Sequence, residues 1–418
     1  MNVIYNTDVN GIIRNTLSIA NPRIAYHGEV VGYIIYKMLK YECLCSEKDI
    51  MDFTMIGFLH DFGLYKIENL RNVAEYETNN LWEHSIYGYL FLKYLSPLEN
   101  KAEIILYHHL DFKLYKSVKS RYMKIVEFLA LADNLDKFLR TGKKEFWKEY
   151  FMKYRDIKFS ARAIDLFTEA QAEQNIIGKL ADGSYKEELS DFGKSKAFTE
   201  YYKKKFLQML AYTIDFRSEH TVIHTFSTVA FAEKIAGLLH MSEREITCVY
   251  YGALLHDLGK HGIPIWILEA PRKLSDTEMK IMKAHVQITA KILKGTVIDE
   301  VYEIAVRHHE KLDGSGYYRG LKEKDFTLAQ KIVMVADIIS ALHGKRSYKD
   351  KMDYEEIKRI LLEETAANHL CSKVVDCALD NFNTIIKSFE KEKEEIVGMY
   401  IQIKEQYGLI YEKFKAFE

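Results

Sequence analysis

Leu254-Leu255-His256-Asp257-Leu258-Gly259-Lys260 contains a His-Asp step that the chain also carries as His60-Asp61, at an offset of 196 residues. The correspondence extends outward from there. His27 pairs with His224 at an offset of 197, His84 with His285 at 201, His108-His109 with His308-His309 at 200, and Ala132-Asp133 with Ala336-Asp337 at 204. Every histidine before residue 200 thus recurs, in order, in the second half. Offsets that drift by only 8 residues are what a duplicated domain leaves once its loops have changed length.

Around these positions the apolar residues follow a helical period. Val222, Phe226, Val229, Ala232, Ala236 and Leu239 advance by three or four and share one face of a helix that His224 starts, and Met279, Met282, Val286 and Leu293 follow the same period around His285. The candidate ligands are therefore expected on helices rather than loops. Only 4 prolines and 21 glycines punctuate 418 residues, too few for a sandwich or barrel of many short strands. The expected fold class is all-α: tandem helical bundles, each with a polar cluster at its centre, joined by a helical connector whose clearest turn is Ala181-Asp182-Gly183-Ser184. After residue 385, Ile396, Tyr400, Ile403, Tyr407, Ile410 and Phe414 form a short heptad seam, readable as a helix packing on its own chain or as a homodimer contact.

The 59 Lys plus Arg against 60 Asp plus Glu leave a formal charge of -1, which argues against long nucleic acid as a partner but leaves room for a small anionic ligand. Five cysteines without a C-x-x-C pair make neither a disulfide framework nor a thiolate zinc site and fit a reducing cytoplasm. Asp8, Asn10 and Arg14 interrupt the N-terminal apolar residues, and no stretch reaches about 18 uncharged apolar residues, so neither a signal peptide nor a membrane span is expected.

Histidine nitrogens and aspartate oxygens together suit borderline divalent metals such as iron, manganese, zinc or cobalt. An Asp directly after a His can bridge two ions through its two oxygens, and Asp257 is the natural candidate. His224, His256 and Asp337 then fall to one ion and His285, His308 and His309 to the other. Such a pair can hold a bridging hydroxide and polarise a phosphoryl oxygen. Lys260, three residues after Asp257, is placed to assist as a nearby cation.

These residues resemble the HD superfamily of metal-dependent phosphohydrolases, and the second half is similar to its HD-GYP branch, the cyclic di-GMP phosphodiesterases of bacterial signalling. The resemblance spans roughly residues 215 to 385. It rests on His224, on the stretch around His256-Asp257 with Lys260 and Gly262-Ile263-Pro264, and on His285. It continues with His308-His309-Glu310-Lys311-Leu312-Asp313-Gly314-Ser315-Gly316-Tyr317, Ala336-Asp337 and Arg346-Ser347-Tyr348-Lys349. It implies HD-type bundles and two divalent ions, iron or manganese, with no organic cofactor. A third ion would follow if His220, standing where some members carry a Glu ligand, also binds. It also implies that Asp257 and Lys260 serve catalysis, that Arg346 and Lys349 approach the dinucleotide phosphates, and that Asp313, Gly314 and Tyr317 shape the substrate pocket.

The resemblance carries departures. The family's Gly-Tyr-Pro is Gly316-Tyr317-Tyr318 here, and its Arg-Pro-Tyr is Arg346-Ser347-Tyr348; without proline's fixed φ both loops are expected to loosen. The first half resembles a degenerate HD domain that keeps His27, His60, Asp61, His84, His108, His109 and Asp133 as a second metal site. Leu64 takes the slot of Lys260 and no Gly-x-Gly-Tyr loop follows His109, so this half is expected to be inactive. The implied organisation is a degenerate HD domain over 1–145, a connector over 146–205, an HD-GYP-like domain over 206–385 and a C-terminal helix over 386–418. The implied function is hydrolysis of cyclic di-GMP to linear pGpG by a metal-bridged hydroxide. The alternatives are a non-catalytic metal, redox or nucleotide sensor, or a phosphohydrolase acting on another nucleotide.

Overall fold

A computed structural model describes residues 8–66, 82–195, 198–216, 222–344 and 352–417. All regular structure among them is helical, relieved only by isolated bridges between Arg155 and Phe159 and between Asp313 and Lys322. The all-α expectation holds. No helix among the described residues is long and apolar enough to cross a membrane. The chain divides into two compact units, one of residues 21–202 with 403–418, the other of residues 1–20 with 203–402.

Each unit repeats one order of elements. In the amino-terminal unit, Pro22–Glu42 carries His27, Glu47–Leu59 ends at His60-Asp61, and Glu83–Leu95 carries His84. The short helix Glu103–Leu106 then precedes His108-His109, and Met123–Leu139 carries Asp133. In the other unit His224–Leu238, Glu243–Leu255, Asp276–Leu293, Asp299–Val306 and Leu328–His343 take the same parts. Local sequence starts these helices where the pattern requires. Ser242 with Glu245, Ser275 with Glu278 and Thr327 with Gln330 close capping boxes that satisfy otherwise orphaned N–H groups. Asn21 caps Pro22–Glu42 with proline at the first helical position.

The His-Asp and His-His pairs lie just past the ends of their helices, not within them. This corrects the expectation that all ligands sit on helices, and its cause is that a helix's last carbonyls have no intrahelical partner and accept from side chains there. One close approach is common to both units. A Cβ on Gly63 would lie 1.9 Å from the His84 carbonyl oxygen, and one on Gly259 would lie 1.9 Å from that of His285. Only glycine lets the turn after each His-Asp step press against the helix bearing the next histidine.

The aromatic connector belongs to the core of the amino-terminal unit: Phe151, Phe167 and Tyr185 are buried, and Tyr33 Oη donates to Glu188 at 2.9 Å. Gly183, at φ 84°, ends the helix Ile176–Asp182 at the turn read from sequence. Asp8–Ala20 packs on Asp276–Leu293, where Asn15 Nδ2 donates to the Ile292 carbonyl at 2.9 Å. The heptad seam lies along Phe382–Phe414, and part of it packs on the chain itself. Ile396, Ile403 and Phe414 are buried, Tyr400 meets Phe216, and Tyr407 stacks on Tyr87 at 4.3 Å between ring centres.

Gly259→Ala should cost about 3 kcal/mol or more in denaturant unfolding, because the added methyl overlaps backbone that cannot retreat. Gly237→Ala, in a helix with nothing near the new Cβ, should instead be neutral or stabilising by up to about 1 kcal/mol.

Candidate metal centre

In the carboxy-terminal unit the histidines are aimed before any ligand arrives. Nδ1 of His256, His285 and His308 donates to the carbonyl three residues back, at Ala253 (2.6 Å), Met282 (2.7 Å) and Ala305 (2.7 Å). A carbonyl only accepts, so a proton sits on Nδ1; in His285 and His308 the Nε2 lone pair faces inward, while Nε2 of His256 faces Asp257 and Asp337. His224 is oriented through Nδ1 by the Ser340 hydroxyl at 2.9 Å.

Asp257 stands between the two groups and divides its oxygens. Oδ2 lies 3.1 Å from His256 Nε2 and 3.4 Å from His224 Nε2, while Oδ1 lies 3.3 Å from His285 Nε2 and 3.9 Å from His308 Nε2. Asp337 Oδ1 is 3.2 Å from His224 Nε2 and 3.6 Å from His256 Nε2; its Oδ2 is 3.8 Å from His309 Nδ1. The seven residues expected to form the site are therefore together, with Asp257 facing both groups. Lys260 forms an ion pair with Asp257.

The electrostatics suit a cation. Burial lowers His285 to about 4 and His309 to about 3, and it pushes His308 well below the ordinary histidine value, so these rings are neutral ligands at pH 7. Burial would raise Asp257, but His256 and Lys260 hold it well below the usual carboxylate range. His256 rises to about 10 because the attraction of Asp257 and Asp337 outweighs its burial. His256 Nε2 and Asp257 Oδ1 are buried without a hydrogen-bond partner among the described residues. His285 Nε2 and His308 Nε2 stand 3.3 Å apart with no proton for either to offer. Lone pairs converging in this way fit divalent ions and little else.

A cavity of about 490 Å³ opens onto this cluster and is lined by His224, Asp257, Lys260, His285, His309, Tyr317 and Asp337. The Tyr317 ring lies 4.6 Å from that of His309, with the Lys283 ammonium 4.6 Å from its centre. Asp313 and Gly314 shape the loop rather than the cavity wall. Asp313 Oδ1 accepts from Ser315 N and Oγ, and Gly314 turns the chain at φ 91°. Tyr318 has the N–H that proline lacks, and it and Arg319 N donate to the buried Glu310 carboxylate at 3.1 and 3.0 Å. His220, Arg346 and Lys349, with Ser347 and Tyr348, lie outside the described residues.

Sequence reasoning missed other lining residues, Asp215, Arg272 and Lys273. Asp215 is buried, accepts from Thr225 N at 2.7 Å at the start of His224–Leu238, and is raised to about 6 by burial. In the amino-terminal unit His27, His60, Asp61, His84, His108, His109 and Asp133 likewise converge.

The sequence model of a family described as HD domain matches residues 208–372. These residues are an HD domain. The match leaves the amino-terminal unit outside it, so the degenerate HD reading of that half rests on its repeated residues alone. A Vibrio cholerae protein named 3'3'-cGAMP-specific phosphodiesterase 1 is 26% identical over 85% of this chain and 86% of its own length. A Thermotoga maritima protein named cyclic di-GMP phosphodiesterase is 36% identical over 47% of this chain, and the alignment spans 55% of that relative. A solved cyclic GMP-AMP specific phosphodiesterase of V. cholerae, V-cGAP3, superposes with a TM-score of 0.54 over 90% of this chain and 97% of its own, at 17% identity, a likeness of fold.

The HD domain and the repeated cluster before it predict acid lability for metal-stripped protein. Burial lowers His84 and His285 to about 4 and His108 and His309 to about 3, and it pushes His109 and His308 well below the ordinary histidine value. As the pH falls from 6.5 towards 4, the unfolded chain takes up protons that the folded chain refuses, and stability drops by roughly 1.4 kcal/mol per pH unit for each such group. His27, His224 and His256, with values raised above 6.5, are protonated in both states across that window and leave the slope unchanged. Denaturant midpoints at pH 6.5, 5.5 and 4.5 should fall steeply; a flat profile would contradict the neutral, buried imidazoles.

Proposed function

We propose that the HD domain is a metal-dependent phosphodiesterase that hydrolyses a cyclic dinucleotide, opening cyclic di-GMP to linear pGpG. The observation that carries this is one carboxylate, Asp257, whose two oxygens face the two histidine groups, with a cavity holding Lys260 and Tyr317 beside it. His224, His256, Asp257 and Asp337 would hold one divalent ion, and His285, His308 and His309 with Asp257 the other, iron or manganese by the donor set. Bound there, the ions would supply an activated water near neutral pH and polarise the phosphoryl oxygen.

The chain's own residues do the rest. The Nδ1 hydrogen bonds fix each imidazole so that little reorganisation is needed when the substrate arrives. Lys260 exchanges its contact with Asp257 for one with an anionic phosphate, neutralising charge at the reacting centre. Tyr317 presents an aromatic face on the His309 side of the cavity, against which a base can lie. The volume falls within the ~300–1,000 Å³ of ordinary small-ligand sites.

A second reading, 3'3'-cGAMP as substrate, is favoured by the relative whose match extends over 85% of the chain. Presenting cyclic di-GMP, 3'3'-cGAMP and cyclic di-AMP to manganese- or iron-loaded protein under reducing conditions separates the two by kcat/KM. His256→Ala and Asp257→Ala should each reduce turnover to background. Lys260→Ala should cost roughly 10- to 100-fold in kcat/KM while leaving metal content near that of the wild type. Tight binding of a cyclic dinucleotide with no turnover by fully loaded wild type would replace the enzyme by a sensor.

A further inference from the structure

We infer that the amino-terminal unit holds a divalent-metal centre of its own, separate from the HD domain. Its geometry repeats that of the other unit with different residues around it. Nδ1 of His60 donates to the Gly57 carbonyl at 2.7 Å and Nδ1 of His108 to the Ile105 carbonyl at 2.6 Å, so both Nε2 lone pairs face the cluster. Asp61 Oδ1 lies 3.4 Å from His60 Nε2 and 3.6 Å from His84 Nε2, while Oδ2 lies 3.8 Å from His27 Nε2. Asp133 Oδ1 is 2.9 Å from His27 Nε2 and 3.7 Å from His60 Nε2. His84 Nε2 and His109 Nε2 approach to 2.8 Å.

Burial makes this arrangement expensive without a cation. His60, His84, His108 and Asp133 are at most 1% exposed, and Asp61 is 3% exposed. His60 Nε2, Asp61 Oδ1 and His108 Nε2 are buried with no hydrogen-bond partner among the described residues. Buried polar atoms are ordinarily paired, and several orphaned acceptors aimed at one point call for a positive charge. Imidazole and carboxylate donors without a thiolate select a borderline divalent ion such as manganese, iron, zinc or cobalt.

The surroundings differ from those of the HD domain. Leu64 is fully buried where the other unit has Lys260. The ammonium comes instead from Lys137, one turn beyond Asp133 and 3.0 Å from its Oδ1. Asp136 engages His27 Nδ1 where Ser340 engages His224, adding negative charge behind that ligand. Lys137 thus competes with an ion for Asp133.

The test uses the full chain carrying His256→Ala with Asp257→Ala, stripped with chelator and dialysed against micromolar Mn²⁺. At least one Mn²⁺ per chain should remain. Pulsed electron paramagnetic resonance should show imidazole nitrogen coupled to it, and its thermal midpoint should rise with Mn²⁺. Adding His84→Ala and His109→Ala should remove both the metal and the coupling. Lys137→Met in the same background should tighten Mn²⁺ binding roughly tenfold, since a like charge beside the ion is gone. A chain with the HD site disabled that retains no Mn²⁺, or whose Mn²⁺ shows no nitrogen coupling, would overturn the inference. That spectroscopic arm needs no substitution in the amino-terminal unit, so misfolding there cannot mimic failure. An affinity unmoved by Lys137→Met would equally contradict an ion at Asp133. None of these results depends on catalysis by the HD domain.

Discussion

The donation of a histidine Nδ1–H to a backbone carbonyl three residues earlier is the constraint on which the site rests. It recurs at His60, His108, His256, His285 and His308. In four of these the carbonyl is one that a helix end leaves over, so ending the helix just before the ligand both exposes the acceptor and fixes the ring. The same bond places a proton on Nδ1 and turns Nε2 of His60 towards Asp61 and Nε2 of His256 and His285 towards Asp257. Fold and chemistry are joined at that point: the helices stop where the ligands must begin.

The arrangement runs against the stability of the bare protein. Neutral imidazoles such as His285 and His308 pressed together beside carboxylates held ionised in the interior leave acceptors facing acceptors, a cost that a cation offsets. Metal binding is therefore expected to stabilise as well as to activate. The two units express this economy differently. The HD domain opens its cluster to a cavity and sets Lys260 on Asp257, whereas the amino-terminal unit has the buried Leu64 at that position and brings Lys137 to Asp133.

Much of this was legible in the sequence, for identifiable reasons. Histidine is scarce, so ordered pairs such as His60 with His256 stand out, and a ligand cannot be exchanged for a neighbour without losing the donor. The helices were legible from the three-four period around His224 and His285. Less visible were residues whose role depends on geometry across the chain. Asp215, the last residue of one helix, accepts from Thr225 near the start of the next, and nothing in its neighbours marks it. Glu310 repairs the loop that lost its proline, through backbone N–H groups eight and nine residues on. Gly63 and Gly259 kept the repeat offset and could have been found from it; their necessity shows only when the His84 and His285 carbonyls are in place. The connector's burial in the amino-terminal unit and the packing of residues 8–20 on Asp276–Leu293 are tertiary facts with no local signature.

The central claim is that the Asp257 carboxylate is shared, one oxygen to each of two ions. Anomalous diffraction at the manganese edge from crystals of the loaded protein tests it most directly. Two peaks about 3.5 to 4 Å apart, one against each oxygen of Asp257, are the predicted result. A single peak on one side of Asp257, or ions held elsewhere with that carboxylate still bound to Lys260, would contradict it.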